Sequence, residues 1–192
     1  KNFRFFSPDE TSSNKLSAIY DETSRAWNME SKPWDTSMSP DGRSMDILSE
    51  HSLEGMMQGY TLTGRYAMLT SYESFAPIIS SMVDQHAKFL DQSRHTSFRG
   101  KVPSLNFLLT SNGWRQDHNG FSHQNPSFID GLLRRQGEIS NVFFPSCDNA
   151  SLVATSLALQ SYSQINAIVA GKTLEPRWRS MVESRKDIEK GA

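Results

Sequence analysis

The sequence has little with which to cross-link itself, span a bilayer or attract a charged polymer. Its single cysteine, Cys147, excludes an internal disulfide and a cysteine-built zinc site. Placed just after Val142, Phe143, Phe144 and Pro145, that cysteine reads as a small buried thiol. No apolar run approaches the roughly 18 residues of a membrane span, so no membrane association is expected. Acidic and basic residues nearly cancel, leaving a formal net charge of −1. No global field therefore recruits nucleic acid or anionic lipid, and any phosphate recognition has to be local. Repeats and low-complexity tracts are lacking too. No charged-then-apolar leader opens the sequence. Residues 1–6, KNFRFF, instead read as a strand entered abruptly, the expectation for a piece of a longer multidomain polypeptide. The composition is compatible with the cytoplasm, which is the expected compartment.

What is present suffices for one core. With 192 residues, 36% of them hydrophobic and 21% charged, the sequence predicts a single globular domain over 1–192. Short apolar runs at 3–6, 45–48, 66–70, 104–110, 141–145 and 165–170 read as strands. Helical patterns are expected at 11–25, from about 52, at 75–90, 128–135 and 151–161, and from 175 onward. Phe75, Ile78, Ile79, Met82, Val83, His86, Phe89 and Leu90 keep the helical spacing most closely. A Ser-, Pro- and Asp-rich stretch at 30–43 reads as a loop. Strands alternating with helices predict an α/β, doubly wound, mostly parallel sheet with helices on both faces.

In such sheets ligands bind beyond the carboxyl ends of the strands. Polar and aromatic residues are concentrated there, above all in WRQDHNGFSHQ at 114–124. His118 and His123 lie five apart around Gly120, a spacing that suits a loop better than one helical face. Imidazole titrates near neutrality, so both histidines are candidate acid–base groups. A metal site with Asp117 as third ligand is the competing reading, without a recognised zinc-protease spacing. Glu50, alone, reads as a carboxylate at a helix N-terminus, and His51 beside it is equally ambiguous. His86 reads as a hydrogen-bonded core histidine, and His95 as a loop residue without a specific role. Lys172 ends a strand in a sequence like a phosphate-binding loop, but Asn166 stands where its first glycine would be. Asp9 and Glu10 before Thr11, Ser12 and Ser13 read as a helix start, with Ser13 or Lys15 capping or facing a ligand.

WRQDHNGFSHQNP resembles the phosphoketolases, as do FRFFSPDETSSNKL, SPDGR, ILSEH, EGMMQGYTLTGR, SYESFAPIISSMVDQHAKFL, SLNFLLTS and NAIVAGK, in that order. The resemblance runs from the first residues to about Trp178. Transketolases share the family's fold but not WRQDHNGFSHQ. The resemblance implies the middle, pyrimidine-binding domain of an enzyme that uses thiamine diphosphate and magnesium. That enzyme cleaves xylulose 5-phosphate or fructose 6-phosphate with inorganic phosphate to acetyl phosphate, and works as a homodimer. The Gly-Asp-Gly signature of the preceding, diphosphate-holding domain does not occur here, which implies an isolated piece without turnover. Glu50 matches the glutamate at N1′ of the cofactor's aminopyrimidine, and Phe75 the aromatic packed on that ring. Tyr72, Gln116, Asn119 and Lys172 match positions lining the sugar-phosphate pocket, and Ser13 lies in a matching segment near it. His118 and His123 match the histidines that move protons during cleavage and loss of water. Lys15 departs from the family's usual arginine, keeping the charge but losing the bidentate fork. A transketolase domain and a degenerate, non-catalytic module are the alternatives.

Overall fold

A computed structural model describes residues 2–111, 121–135, 138–174 and 176–191. Among the described residues eight strands form one sheet: β1 (Phe3–Ser7), β2 (Arg25–Ala26), β3 (Met38–Ser39), β4 (Ser44–Asp46), β5 (Tyr66–Ser71), β6 (Leu105–Leu109), β7 (Ser140–Phe143) and β8 (Ile165–Val169). Their order is β3-β2-β4-β1-β5-β6-β8-β7, and every pairing is parallel. The helices are α1 (Ile19–Glu22), α2 (Glu50–Leu62), α3 (Ser80–Arg94), α4 (Ser127–Leu133), α5 (Asp148–Gln160) and α6 (Met181–Glu189).

Side chains of a strand alternate between faces, and each face of this sheet is covered. Ala67 and Leu69, Leu105 and Phe107, and Ile165 and Ala167 point into a core with Leu53 and Met57 of α2, Val83 of α3 and Phe128 of α4. Met68 and Ile168 point the other way, onto Ala154 and Ala158 of α5, with Ile19 of α1 and Ile188 of α6 at the margin. The expected doubly wound α/β architecture is therefore present.

Three expectations are corrected. The helix expected over 11–25 shrinks to α1, because its first turn is drawn into other bonds. Ser13 Oγ donates to the Glu10 carbonyl at 3.0 Å, Asn14 Oδ1 accepts from Thr110, and Lys15 adopts a left-handed φ of 62°. Residues 25–26 then leave for the sheet as β2. The loop expected over 30–43 likewise contains β3. This short-stranded edge is held by Asp46, which takes hydrogen bonds of 2.7 Å from both Tyr20 Oη and Arg25 Nε. Gly42 is required here, since a Cβ at that position would stand 2.2 Å from the Arg25 carbonyl oxygen. The helical pattern from 175 starts only at Met181, behind a capping box of Ser180 and Glu183.

Parallel strands put all their amino ends on one side. There Asn106, Asn166 and Asn141 stand in register on β6, β8 and β7. Asn166 Nδ2 donates to Asn106 Oδ1 at 2.8 Å, and Asn141 Nδ2 donates to Asn166 Oδ1 at 2.9 Å. Asn106 Nδ2 donates in turn to the Ala67 carbonyl at 3.0 Å. The ladder ties three strands together in the interior.

Candidate active site

The carboxyl ends of β1, β5, β6 and β8 gather the candidate residues. Ser49 caps α2, its Oγ accepting from Ser52 N at 3.3 Å, and this sets Glu50 in the first turn, half-buried. A carboxylate there meets the positive end of the helix dipole. Tyr72 follows β5 directly and is buried, its hydroxyl donating to Ser13 Oγ at 3.0 Å. Lys172, just beyond β8, holds its Nζ 3.6 Å from the centre of the Tyr72 ring, a cation–π distance.

His123 closes a 3₁₀ turn, Phe121–His123, and its ring stands perpendicular to Tyr72 with centroids 4.9 Å apart. Phe75 completes the aromatic group, 5.8 Å from Tyr72 and 6.1 Å from His123. The His123 carbonyl accepts from Ser111 Oγ at 2.9 Å and from Ser74 N at 3.2 Å, which fastens the histidine to the ends of β5 and β6. Its Nδ1 lies 3.0 Å from Ser122 Oγ. Of the residues expected in the site, Ser13, Tyr72, Phe75, His123 and Lys172 thus form one connected wall. His118, Gln116 and Asn119 lie outside the described residues.

Glu10 belongs with them, although its position suggested only a helix start. Burial and the nearby negative charge of Glu50 raise its pKa from 4.5 to about 7, against the opposing effects of Lys172 and Asn14. Its Oε2 is buried and has no hydrogen-bond partner among the described residues. Asn14 sits beside it, yet Asn14 Nδ2 makes no hydrogen bond of ordinary geometry there. The signal available in the sequence was its place at the carboxyl end of β1. Lys172 is held below the usual lysine range by burial, which Tyr72 and Glu10 partly offset.

Other titratable groups lie elsewhere. His86 is buried against Phe89, as its helical position implies, but its Nε2 lacks a hydrogen-bond partner among the described residues, contrary to the expected bonded histidine. Desolvation lowers its pKa to about 4. Glu54, one turn beyond Glu50, is fully buried; desolvation raises it to about 8 although Gln58 Nε2 donates to it at 2.7 Å. Cys147 is buried as expected. Burial works to raise its thiol, but backbone amides, Ala150 and Arg179 first, outweigh that and hold it below the usual range.

Residues 1–161 match the family model described as D-xylulose 5-phosphate/D-fructose 6-phosphate phosphoketolase. A probable phosphoketolase of Brucella abortus is 46% identical over 191 residues, which are all of this chain and 24% of the relative. One from Nitrosospira multiformis is 49% identical over 180 residues, 94% of this chain and 22% of the relative. The chain therefore spans about a quarter of the length of these relatives. Among solved structures, transketolase from Pichia stipitis with sedoheptulose 7-phosphate superimposes with a TM-score of 0.69 at 17% identity, over 96% of this chain and 25% of that one. A split-gene transketolase, described as an inactive β4 tetramer, superimposes at 0.58 with 16% identity over 94% of this chain and 48% of its own. The fold is that of the transketolases.

Proposed function

The chain belongs to the D-xylulose 5-phosphate/D-fructose 6-phosphate phosphoketolase family, and on that premise we propose that it forms the pyrimidine-binding half of a thiamine-diphosphate site. The full-length protein cleaves xylulose 5-phosphate, fructose 6-phosphate or both with inorganic phosphate, yielding acetyl phosphate and an aldose phosphate. The observation that carries this reading is the convergence of Tyr72, Phe75, His123 and Lys172 on one wall beside Glu50.

The residues fit the cofactor's ring. Phe75 offers an aromatic surface and Glu50 a carboxyl at a helix N-terminus. When bound, thiamine diphosphate supplies the nucleophilic carbon that breaks the carbon–carbon bond. Glu50 would hold the ring nitrogen N1′ and the proton there. Lys172, over the Tyr72 face, would meet the phosphate of the sugar, with Ser13, Gln116 and Asn119 along the pocket. His123 and His118 would move protons to and from the sugar oxygens. Magnesium and the diphosphate would be held by a domain outside these residues.

The remaining partners follow from the same reading. We place the working protein in the cytoplasm as a homodimer. The outer face of α2 supports close approach by a second subunit: Leu48 just before it and Met56 on it are exposed, and Gly59 leaves its backbone open. No helix of the described residues is long and apolar enough to cross a membrane.

Assay of the full-length protein for acetyl phosphate formation tests the reading. Formation that requires inorganic phosphate is expected; ketol transfer to an aldose acceptor without it would mean a transketolase instead. Glu50→Gln should lower the rate by about 10²- to 10⁴-fold, and unchanged activity would mean a non-catalytic module. Residues 1–192 alone should show no turnover and only weak cofactor binding; tight, magnesium-dependent binding in calorimetry would contradict the half-site. The split-gene transketolase described as inactive is a parallel case.

A further inference from the structure

Glu10 is the one titratable group of this wall to which no role has been given, and the backbone around it is fastened on both sides. Its N–H donates to Ser7 Oγ at 3.1 Å, and its carbonyl accepts from Ser13 Oγ at 3.0 Å. Ser13 Oγ accepts from Tyr72 Oη at 3.0 Å, and Lys172 Nζ lies 3.6 Å from the Tyr72 ring centre. The charges that act on the Glu10 carboxyl are Glu50 on α2, Asp9 on its own segment and Lys172 beyond β8. Two are negative, and Lys172 is the positive one among them.

We propose that Glu10 is the charge-compensating residue of the site, a carboxyl that takes up a proton when a phosphate-bearing ligand binds at Lys172. This rests on the reading of Lys172 as the phosphate contact. An anion on Lys172 cancels the charge that favours Glu10 carboxylate and leaves it facing Glu50 and Asp9, so the neutral acid becomes the stable form. Oε2, unpaired among the described residues, can then carry a hydroxyl that donates toward the ligand. Because Glu10 titrates near neutrality without a ligand, the uptake falls in the physiological range. Linkage makes the effect reciprocal: a proton on Glu10 removes a repulsion and tightens anion binding.

Sulfate is the probe, since its charge does not change in this range, and calorimetric titration of the full-length protein in two buffers of different ionisation heat counts the protons. At pH 7.5 the native protein should take up about half a proton per sulfate, and its sulfate affinity should fall roughly fourfold from pH 7 to 8.5, the values for an upward shift of about one pKa unit. Glu10→Gln should bind sulfate with neither effect, while Glu10→Asp, which keeps the carboxyl, should retain uptake. Uptake that persists undiminished in Glu10→Gln, or that is missing in the native protein, overturns the proposal. Sulfate binding unchanged by Lys172→Met, or no saturable binding at all, overturns the Lys172 reading and the proposal with it.

Discussion

The two ends of the sheet treat buried polar atoms in opposite ways. At the amino end, Asn106, Asn166 and Asn141 satisfy one another across three strands, and Ser104 and Ser161 bond at 2.7 Å beside them. At the carboxyl end, Glu10 Oε2, Thr11 Oγ1, Asn14 Nδ2, Ser71 Oγ and Ser74 Oγ are buried without a hydrogen-bond partner among the described residues. Folding favours pairing such groups, because an unpaired one costs about 1–3 kcal/mol. The amino end closes its polar groups on one another, whereas the carboxyl end leaves buried polar atoms unpaired by the described residues, on the side where this architecture binds ligands. The largest effect that sharpens the contrast is at Asn166. Asn166→Leu should destabilise the chain by about 4 kcal/mol, since it strands Asn106 Oδ1 and takes away an acceptor of Asn141 in the interior. Urea unfolding measures it, and a loss below about 1 kcal/mol would mean that the ladder is not what secures that end.

A second comparison separates burial from function. Glu54 and His86, under α2 and α3, have strongly shifted proton affinities, but desolvation is the chief cause and no charged neighbour contributes. Glu10 differs by its coupling to Glu50 and Lys172, the combination expected of a working site. Glu54 titrates near 8 in the fold against 4.5 unfolded, so the folded state binds the extra proton between those values. Stability is therefore highest below pH 4.5 on this account and declines until about pH 8. Glu54→Gln should abolish the decline and raise stability at neutral pH by on the order of 3 kcal/mol, with activity of the full-length protein retained. His86 has the opposite sign: depressed to about 4 from 6.5, it costs stability as pH falls through that window. His86→Leu should flatten the acid limb of a stability–pH curve, an effect of about 2 kcal/mol at pH 4.5. Loss of catalysis in Glu54→Gln, with folding intact, would erase the distinction drawn between this seam and the site.

Legibility in the sequence followed the same division. Apolar runs such as Leu105–Leu109 and Ile165–Val169 announce strands because both faces are covered, and parallel strands announce where a ligand goes. Glu50 was visible as a helix-start carboxylate. β2 and β3 were not visible: two-residue strands exist because Arg25, Tyr20 and Asp46 and the close approach at Gly42 pin that edge. The helix expected over 11–25 was lost because Ser13, Asn14 and Lys15 serve the site side of β1 rather than a helical turn. The proton affinity of Glu10 depends on burial first and then on Glu50 and Lys172, all of which only the fold supplies.

The smallest expected effect is the most direct probe of the carboxyl end. Ser71 closes β5; its hydroxyl is buried with no partner among the described residues, while its carbonyl accepts from Thr110 N at 3.3 Å. Ser71→Ala removes a hydroxyl that no described residue pairs and leaves that backbone bond in place. If the excess polarity there is kept for a ligand, the substitution should leave stability within about 0.5 kcal/mol or raise it slightly. Substrate affinity of the full-length protein should weaken instead, by up to roughly tenfold, the worth of one hydrogen bond. A loss of stability above about 1 kcal/mol, with affinity unchanged, would place Ser71 with the Asn166 ladder as a structural residue and narrow the site to the wall formed by Tyr72, His123 and Lys172.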